Sequence, residues 1–196
     1  AYLCGEFSLN TPMHAEIQHE LQEQKNGFVS KKFIKNKYKE YIREDWEEIR
    51  LQWMLYVVWH KCIGNADFRD LLLSLPKDAV IIENSNIVRG RVNGNNRDMV
   101  WGAKNDELKE FENHLRFKEK HAPFLKPEYL KKLEEERASI YYVGHFEGQN
   151  NMGKVLKLCQ IALLNKVAPP IDYDLLRAKQ IYLFGELLTF DKEEAL

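Results

Sequence analysis

The sequence is poor in the features that would assign it quickly. Its 196 residues contain three cysteines, Cys4, Cys62 and Cys159, widely spaced and without a C-x-x-C pair. A cysteine-built zinc site is thereby disfavoured, and the odd count without a pairing pattern predicts a reducing compartment. No apolar run approaches the roughly 20 residues of a membrane span, and no basic-then-apolar leader stands at the N-terminus. These absences predict a cytoplasmic chain with no membrane partner. Charge of one sign is lacking too: 29 Lys and Arg face 30 Asp and Glu, a net charge of -1. Global charge therefore argues neither for nor against nucleic acid, and such a partner would need a local basic patch. There is no internal repeat, no low-complexity segment and no cluster of metal-ligand type, so neither a metal nor a cofactor is expected.

What is present is an ordinary globular balance, 44% hydrophobic and 30% charged, long enough to bury a sizeable core. Residues 14–26 have helical period, with Ile17, Leu21 and Gln24 on one face and Gly27 as a stop. Residues 29–41 predict a second, basic-faced helix. Asp45 has the look of an N-cap with Glu48 three residues on, as in a capping box. The helix from Trp46 to Cys62 is apolar nearly all round (Trp46, Ile49, Trp53, Leu55, Val57, Trp59), which predicts a central, buried element. A shorter helix follows over 67–75, closed by Pro76.

The β portion is small. Ala79 to Glu83 is β-branched and apolar, a strand candidate, and Asn93-Gly94 suggests a hairpin turn before a return over 98–101. Residues 105–137 are charge-dense and helical, broken by Pro123 and Pro127. A short strand is expected over 139–143, a helix over 155–167, and a final helix capped by Asp172. The sum is a mainly α chain with a small β portion, an α+β fold. It reads as one domain over 1–196, with a charged helical insertion at about 103–144 and a C-terminal helical extension at about 171–190.

Three separated segments are more polar than a plain core needs. On a helix, Gln18, Gln22 and Lys25 fall at i, i+4 and i+7, so one face would offer amides and an amine, with His19 beside them. Asp98-Met99-Val100-Trp101-Gly102 sets an acid three residues before a stacking ring. Gly148-Gln149-Asn150-Asn151-Met152-Gly153-Lys154 opens a helix, where main-chain N–H groups can hold an anion. Each has a plainer reading: a solvated helix face, a core tryptophan, an ordinary N-cap and a structural histidine. The G-x-x-x-x-G-K spacing of the last segment is not a Walker A loop, because Val155 stands where a Ser or Thr is required and no apolar strand runs into it. No Ser-His-Asp or Cys-His order stands out.

Taken in order, these segments resemble the NADAR family of YbiA-like N-glycosidases. The family pattern is a helix with E-H-x-x-Q-x-x-K, a D-W-x-x-x-R helix start, a Glu followed by D-x-x-W-G, and G-x-N-x-L-G-K entering a helix. His19, Gln22 and Lys25 fit the first motif, and Asp45, Trp46 and Arg50 the second. Glu83, Asp98, Trp101 and Gly102 fit the third; Gly148, Asn150, Gly153 and Lys154 fit the fourth. The resemblance covers roughly residues 15–165. Three departures accompany it: Gln18 replaces the usual Glu, the family's N-terminal F-L-S-N-F segment has no clear counterpart, and residues 103–144 lengthen a connection that is short in the family.

The resemblance implies hydrolysis of the bond between a base nitrogen and ribose C1. It makes Lys25, Asp98 and Glu83 the catalytic candidates. Lys25 would attack C1 to give a Schiff base, Asp98 would serve as acid and base, and Glu83 would be the second carboxylate. Gln18, His19, Gln22, Trp101, Gly102, Gly148, Asn150, Gly153 and Lys154 would bind the substrate, Trp101 by stacking and the Gly148–Gly153 turn by holding phosphate. The expected substrate is ADP-ribose on a modified guanine in nucleic acid, with the run Lys31, Lys32, Lys35, Lys37, Lys39 and Arg89, Arg91, Arg97 suited to a phosphate backbone. Two alternatives stand beside it: a free ribosylamino-pyrimidine of the riboflavin pathway, and a non-catalytic ADP-ribose or nucleotide binder, motivated by the carboxylate missing at Gln18.

Overall fold

The computed structural model describes residues 1–85, 99–121, 126–139 and 145–190. In chain order the elements are α1 (Tyr2–Glu6), α2 (Pro12–Glu23), α3 (Gly27–Val29), a π-helical turn (Ser30–Ile34), α4 (Lys35–Lys37) and a 3-10 turn (Lys39–Tyr41). Then follow α5 (Trp46–Gly64), α6 (Ala66–Ser74), α7 (Asp106–Lys120), α8 (Pro127–Ser139), α9 (Asn151–Asn165) and α10 (Tyr173–Ala178). Strands β1 (Tyr182–Leu183) and β2 (Glu186–Leu187) close the described chain as an antiparallel pair. The described residues are thus mainly helical with one small sheet, as the sequence pattern predicts. The chain resolves into two compact units, one of residues 1–79 and 155–196, the other of 80–154.

The first unit is organised by α5. Its residues Ile49, Trp53, Met54, Leu55, Val58, Trp59 and Cys62 are buried, which is why so little of its circumference is polar. Each large apolar side chain buried this way contributes roughly 1.5–3 kcal/mol. Helix α1 lies close enough on α5 that a Cβ at Gly5 would sit 2.2 Å from Nε1 of Trp53, so only glycine fits. The same indole donates to the carbonyl of Tyr2 at 3.1 Å. A second cluster joins Cys4, Phe7, Ile17 and Leu21, with Leu183 of β1 packed against it.

Buried polar groups tie the ends of this unit together. Arg43 is buried, and its guanidinium holds both carboxylate oxygens of Asp45, at 2.5 and 3.0 Å. It also donates to Oγ of Ser8 at 2.8 Å and to the carbonyl of Lys179 at 2.7 Å. That arrangement corrects the expected capping box. Asp45 does begin α5, but its carboxylate is given to Arg43 and caps nothing, while Glu48 pairs with Lys179. Asp172 caps α10 as expected, accepting from the N–H of Leu175, and Asn65 caps α6, accepting from that of Phe68.

Two further elements differ from expectation. Residues 29–41 form no single helix but a succession of short α, π and 3-10 turns. The C-terminal helix is six residues long, and the chain then turns through β1 and β2 where a helical extension to about 190 was expected. Phe184 and Gly185, the two residues between the strands, both have positive φ, 54° and 87°, as a type I′ hairpin turn requires.

Ala79 to Glu83, where the second unit begins, does not pair as a strand. The chain there makes an isolated parallel bridge, Asn84 to Ala103, and Lys104 makes another, antiparallel, to Glu147. Helices α7 and α8 supply an apolar seam of Leu108, Leu115 and Leu133, with Phe111 and Phe146 against it. Lys118 and Glu136 pair across them at 2.9 Å. This helical pair is the charge-dense stretch expected as an insertion. The expected hairpin at Asn93-Gly94 and most of the expected strand over 139–143 lie outside the described residues.

Candidate functional site

The residues that carry the resemblance divide between the two units. Glu83, Trp101, Gly102, Gly148, Asn150 and Gly153 come together in the second; Gln18, His19, Gln22 and Lys25 belong to the first. Asp98 lies outside the described residues.

The arrangement in the second unit is built from main-chain bonds. The N–H groups of Gln149, Asn150, Asn151 and Met152 donate in turn to the carbonyls of Met99, Gly102, Val100 and Trp101, at 2.8 to 3.2 Å. Asn150 has a left-handed backbone, φ 50°, tolerable for Asn. Its side chain then bridges to a third segment: Nδ2 donates to the carbonyl of Ile81 at 2.8 Å, and Oδ1 accepts from the N–H of Glu83 at 3.0 Å. The N–H of Ala103 donates to the carbonyl of Glu83 at 2.9 Å. Three segments distant in sequence are locked around one asparagine.

The glycines are there because nothing larger fits. Gly148 has φ 134°, and a Cβ on it would meet the Gly102 carbonyl oxygen at 2.6 Å. A Cβ on Gly153 would lie 2.0 Å from the carbonyl oxygen of Ile81 and 2.5 Å from Nδ2 of Asn150. Gly102 is buried and Trp101 half-buried, while the side chains of Glu83 and Lys154 are exposed.

This geometry revises the phosphate-holding role expected of the Gly148–Gly153 turn. The N–H groups entering α9 at Asn151 and Met152 are already bonded to carbonyls, so the helix start offers neither of them to an anion. Gly148, Asn150 and Gly153 shape the backbone here, and the side chains of Glu83 and Lys154 are exposed beside them.

The first unit revises the helix-face expectation. Helix α2 begins at Pro12 with Oγ1 of Thr11 accepting the N–H of His14, and it ends at Glu23, with Gln24 extended. Lys25 therefore lies past the helix, and the i+7 relation to Gln18 does not form. Lys25, His19 and Gln22 are exposed.

Gln18 is the largest correction. It is buried, 1% exposed, and its amide is committed to main-chain groups. Nε2 donates to the carbonyls of Cys4, Phe7 and Tyr182, at 2.9, 3.1 and 2.9 Å, and Oε1 accepts from the N–H of Phe184 at 2.6 Å. It joins α1, α2 and the hairpin from inside and presents nothing to a substrate. A carboxylate at this position would face three carbonyl oxygens with no hydrogen to give.

The sequence reading missed Phe184. Its left-handed conformation costs a residue with a Cβ roughly 1–2 kcal/mol, and Asn, Asp or Gly are the usual occupants of such a turn. Its ring lies 4.9 Å from that of His19, tilted by 41°. The missed signal was Phe-Gly between Tyr182-Leu183 and Glu186-Leu187, which lacks the Asn-Gly signature.

Titratable groups with displaced protonation lie in both units, and those in the structural frame of the first include Glu6 and Asp45. Burial is the main influence holding the Glu6 carboxyl above its ordinary range, opposed by Lys35 at 2.7 Å. Oε2 of Glu6 is buried without a hydrogen-bond partner among the described residues. Asp45 is held below its ordinary range chiefly by its hydrogen bonds from Arg43. Among the described residues no group of three or more His, Cys, Asp or Glu is placed to hold a metal ion. No helix of the described chain is long and apolar enough to cross a membrane.

No family model, no curated protein and no solved structure matches this chain.

Proposed function

We propose that the chain is an N-glycosidase acting on ADP-ribose-type substrates, removing ADP-ribose from modified guanine in nucleic acid. The observation that supports this reading most is the meeting of Glu83, Trp101-Gly102 and Gly148–Gly153 around Asn150. These are the residues on which the NADAR resemblance rests, and close main-chain contacts require glycine at positions 148 and 153.

In the reaction the bond between C1 of the ribose and the base nitrogen breaks, its electron pair leaving with the nitrogen. Water supplies hydroxyl to C1, and its remaining proton accounts for the one the leaving nitrogen gains. Positive charge develops at C1, so an exposed carboxylate is the group such a site needs there. We assign that role to Glu83, with Trp101 as the stacking surface for the base. Asp98 stays in the proposal as acid and base by sequence alone. The resemblance alone names Lys25 as a nucleophile that would displace the base nitrogen at C1 and open the ribose as a Schiff base, which the same water would then hydrolyse.

One observation favours the smaller substrate. Two lysines of the basic run are engaged in ion pairs, Lys35 with Glu6 at 2.7 Å and Lys37 with Glu20 at 3.1 Å. That leaves less cation for a phosphate backbone and favours a free ribosylamino-pyrimidine phosphate. The distinguishing experiment offers both substrates to the full chain over a range of salt. Release from an ADP-ribosylated oligonucleotide that weakens steeply with salt supports the nucleic-acid substrate. Release from the pyrimidine glycoside alone supports the second reading, and release from neither overturns the proposal.

A further inference from the structure

Helix α7 carries Leu108, Phe111, Glu112 and Leu115 at the i, i+3, i+4 and i+7 spacing of an apolar stripe. Leu108 and Leu115 are buried with Leu133 of α8, and Phe111 packs against them. Glu112 is the exception, a half-buried carboxylate on the face where an aliphatic side chain would pack. Taking a carboxylate partly out of water is unfavourable unless it is given a donor. Nδ2 of Asn84 supplies one, 3.4 Å from Oε1 of Glu112.

Asn84 follows Glu83, and its main chain has little freedom. The N–H of Ala103 donates to the carbonyl of Glu83, and the N–H of Ser85 to the carbonyl of Ala103, both at 2.9 Å. Asn84 therefore lies between two bonds to one buried residue. Lys104, next after Ala103, exchanges two main-chain bonds of 2.8 Å with Glu147. Asn105 is buried in turn and caps α7, accepting the N–H of Leu108 at 3.0 Å. The helix thus grows directly out of the chain that clamps the Glu83 segment. Successive side chains of an extended segment point to opposite sides, so Asn84 turns to α7 and the exposed Glu83 turns away from it.

We infer that Glu112 is a positioning residue for hydrolysis at Glu83, and that the charged helical insertion sets the direction of that carboxylate through Asn84. The inference rests on the glycosidase reading, and it gives a role at the site to the stretch by which this chain departs from the NADAR pattern.

The test measures kcat and KM of the full chain on the ADP-ribosylated oligonucleotide and on ribosylamino-pyrimidine phosphate. It compares wild type with Glu112→Ala, Glu112→Gln and Glu110→Ala. Glu110 is exposed on the same helix, so its loss changes the net charge equally. On the substrate that wild type hydrolyses, Glu112→Ala should lower kcat about tenfold or more, with KM within about twofold and the melting temperature unchanged, because a misdirected reacting group costs rate and not binding. Glu112→Gln keeps an acceptor oxygen for Asn84 and should recover kcat to within about threefold of wild type. Glu110→Ala should match wild type. In an Asn84→Ala background, Glu112→Ala should cost nothing further.

The inference is overturned if Glu112→Ala turns over at the wild-type rate, or if its loss of kcat comes with a matching fall in melting temperature. It is overturned equally if Glu112→Gln fails as badly as Glu112→Ala, which would make the charge the working feature, or if the loss persists in full without the Asn84 side chain. An active wild type beside an unimpaired Glu112→Ala removes this inference alone, whereas a wild type that hydrolyses neither substrate removes the glycosidase reading and this inference with it.

Discussion

Oε1 of Gln18 accepts the main-chain N–H of Phe184 across 166 positions of sequence, at 2.6 Å and largely out of water. With Nε2 given to three carbonyls, the amide works as a pin between α1, α2 and the hairpin. Its identity is therefore favoured by hydrogen-bond direction: the carbonyls need donors, and the amide supplies two N–H hydrogens together with an acceptor oxygen.

Gln18→Glu is the first prediction. The change restores the residue usual in the NADAR pattern, and on sequence alone it reads as a gain of a catalytic carboxylate. Here it buries an acid against three carbonyl oxygens. A cost of about 2–4 kcal/mol is expected, with the melting temperature lowered by roughly 5–15 °C. Thermal unfolding followed by circular dichroism checks this. A variant as stable as wild type, or more active, would show that the amide is not the pin described.

The lock around Asn150 gives the second. Gly153→Ala puts a methyl group into the Ile81 carbonyl and the Asn150 amide, contacts of 2.0 and 2.5 Å that no side-chain adjustment relieves on the carbonyl side. Asn150→Asp keeps the acceptor for the Glu83 N–H but loses the donor to Ile81. Losses of about 3 kcal/mol or more and about 1–3 kcal/mol are expected. Hydrogen exchange should accelerate at the amides of Glu83 and Ala103 in both. Unchanged protection there would contradict the lock.

Protonation gives the third. Asp45 titrates below its usual range because Arg43 binds its charged form, so the folded state holds its proton more weakly than the unfolded chain. Its contribution is complete above about pH 4 and is lost as pH falls through the lowered value. Glu6 runs the other way. Burial raises it, so its contribution is complete below the ordinary glutamate value and declines as pH climbs from about 4 through the raised one. In urea titrations the deficit of Asp45→Asn should shrink toward acid, and the stability of Glu6→Gln relative to wild type should improve toward neutral. Parallel curves for wild type and variant at all pH values would contradict either assignment.

How far the sequence foretold this structure depends on the range of the interactions involved. The cap at Asp172 and the apolar circumference of α5 are local or periodic, and they were legible. Gln18 was misread because its partners lie up to 166 positions away, and a polar residue on a helical face gives no sign that its neighbours are carbonyls. Lys25 was set on a helix that stops two residues short of it. Ala79 to Glu83 has strand composition, yet among the described residues it finds only a bridge at its end, since β propensity needs a partner to become a strand. The turn from Gly148 to Gly153 was read as an anion cradle, whereas the N–H groups of residues 149–152 are spent on carbonyls of residues 99–102 and Gly153 lies close to Ile81. That Glu83, Trp101 and Asn150 belong together came from the family pattern, and no periodicity in the chain would have given it.

The most direct test of the proposed function is release of ADP-ribose from an oligonucleotide carrying ADP-ribosylated guanine, measured for wild type, Glu83→Gln and Lys25→Ala. Glu83 and Lys25 have exposed side chains, so neither change should disturb the fold. Wild type should release ADP-ribose, and Glu83→Gln should lower kcat about a hundredfold or more with its melting temperature unchanged. Lys25→Ala should abolish any intermediate trapped by borohydride. Release by Glu83→Gln at the wild-type rate would contradict the account, as would a wild type that releases nothing from this substrate or from ribosylamino-pyrimidine phosphate.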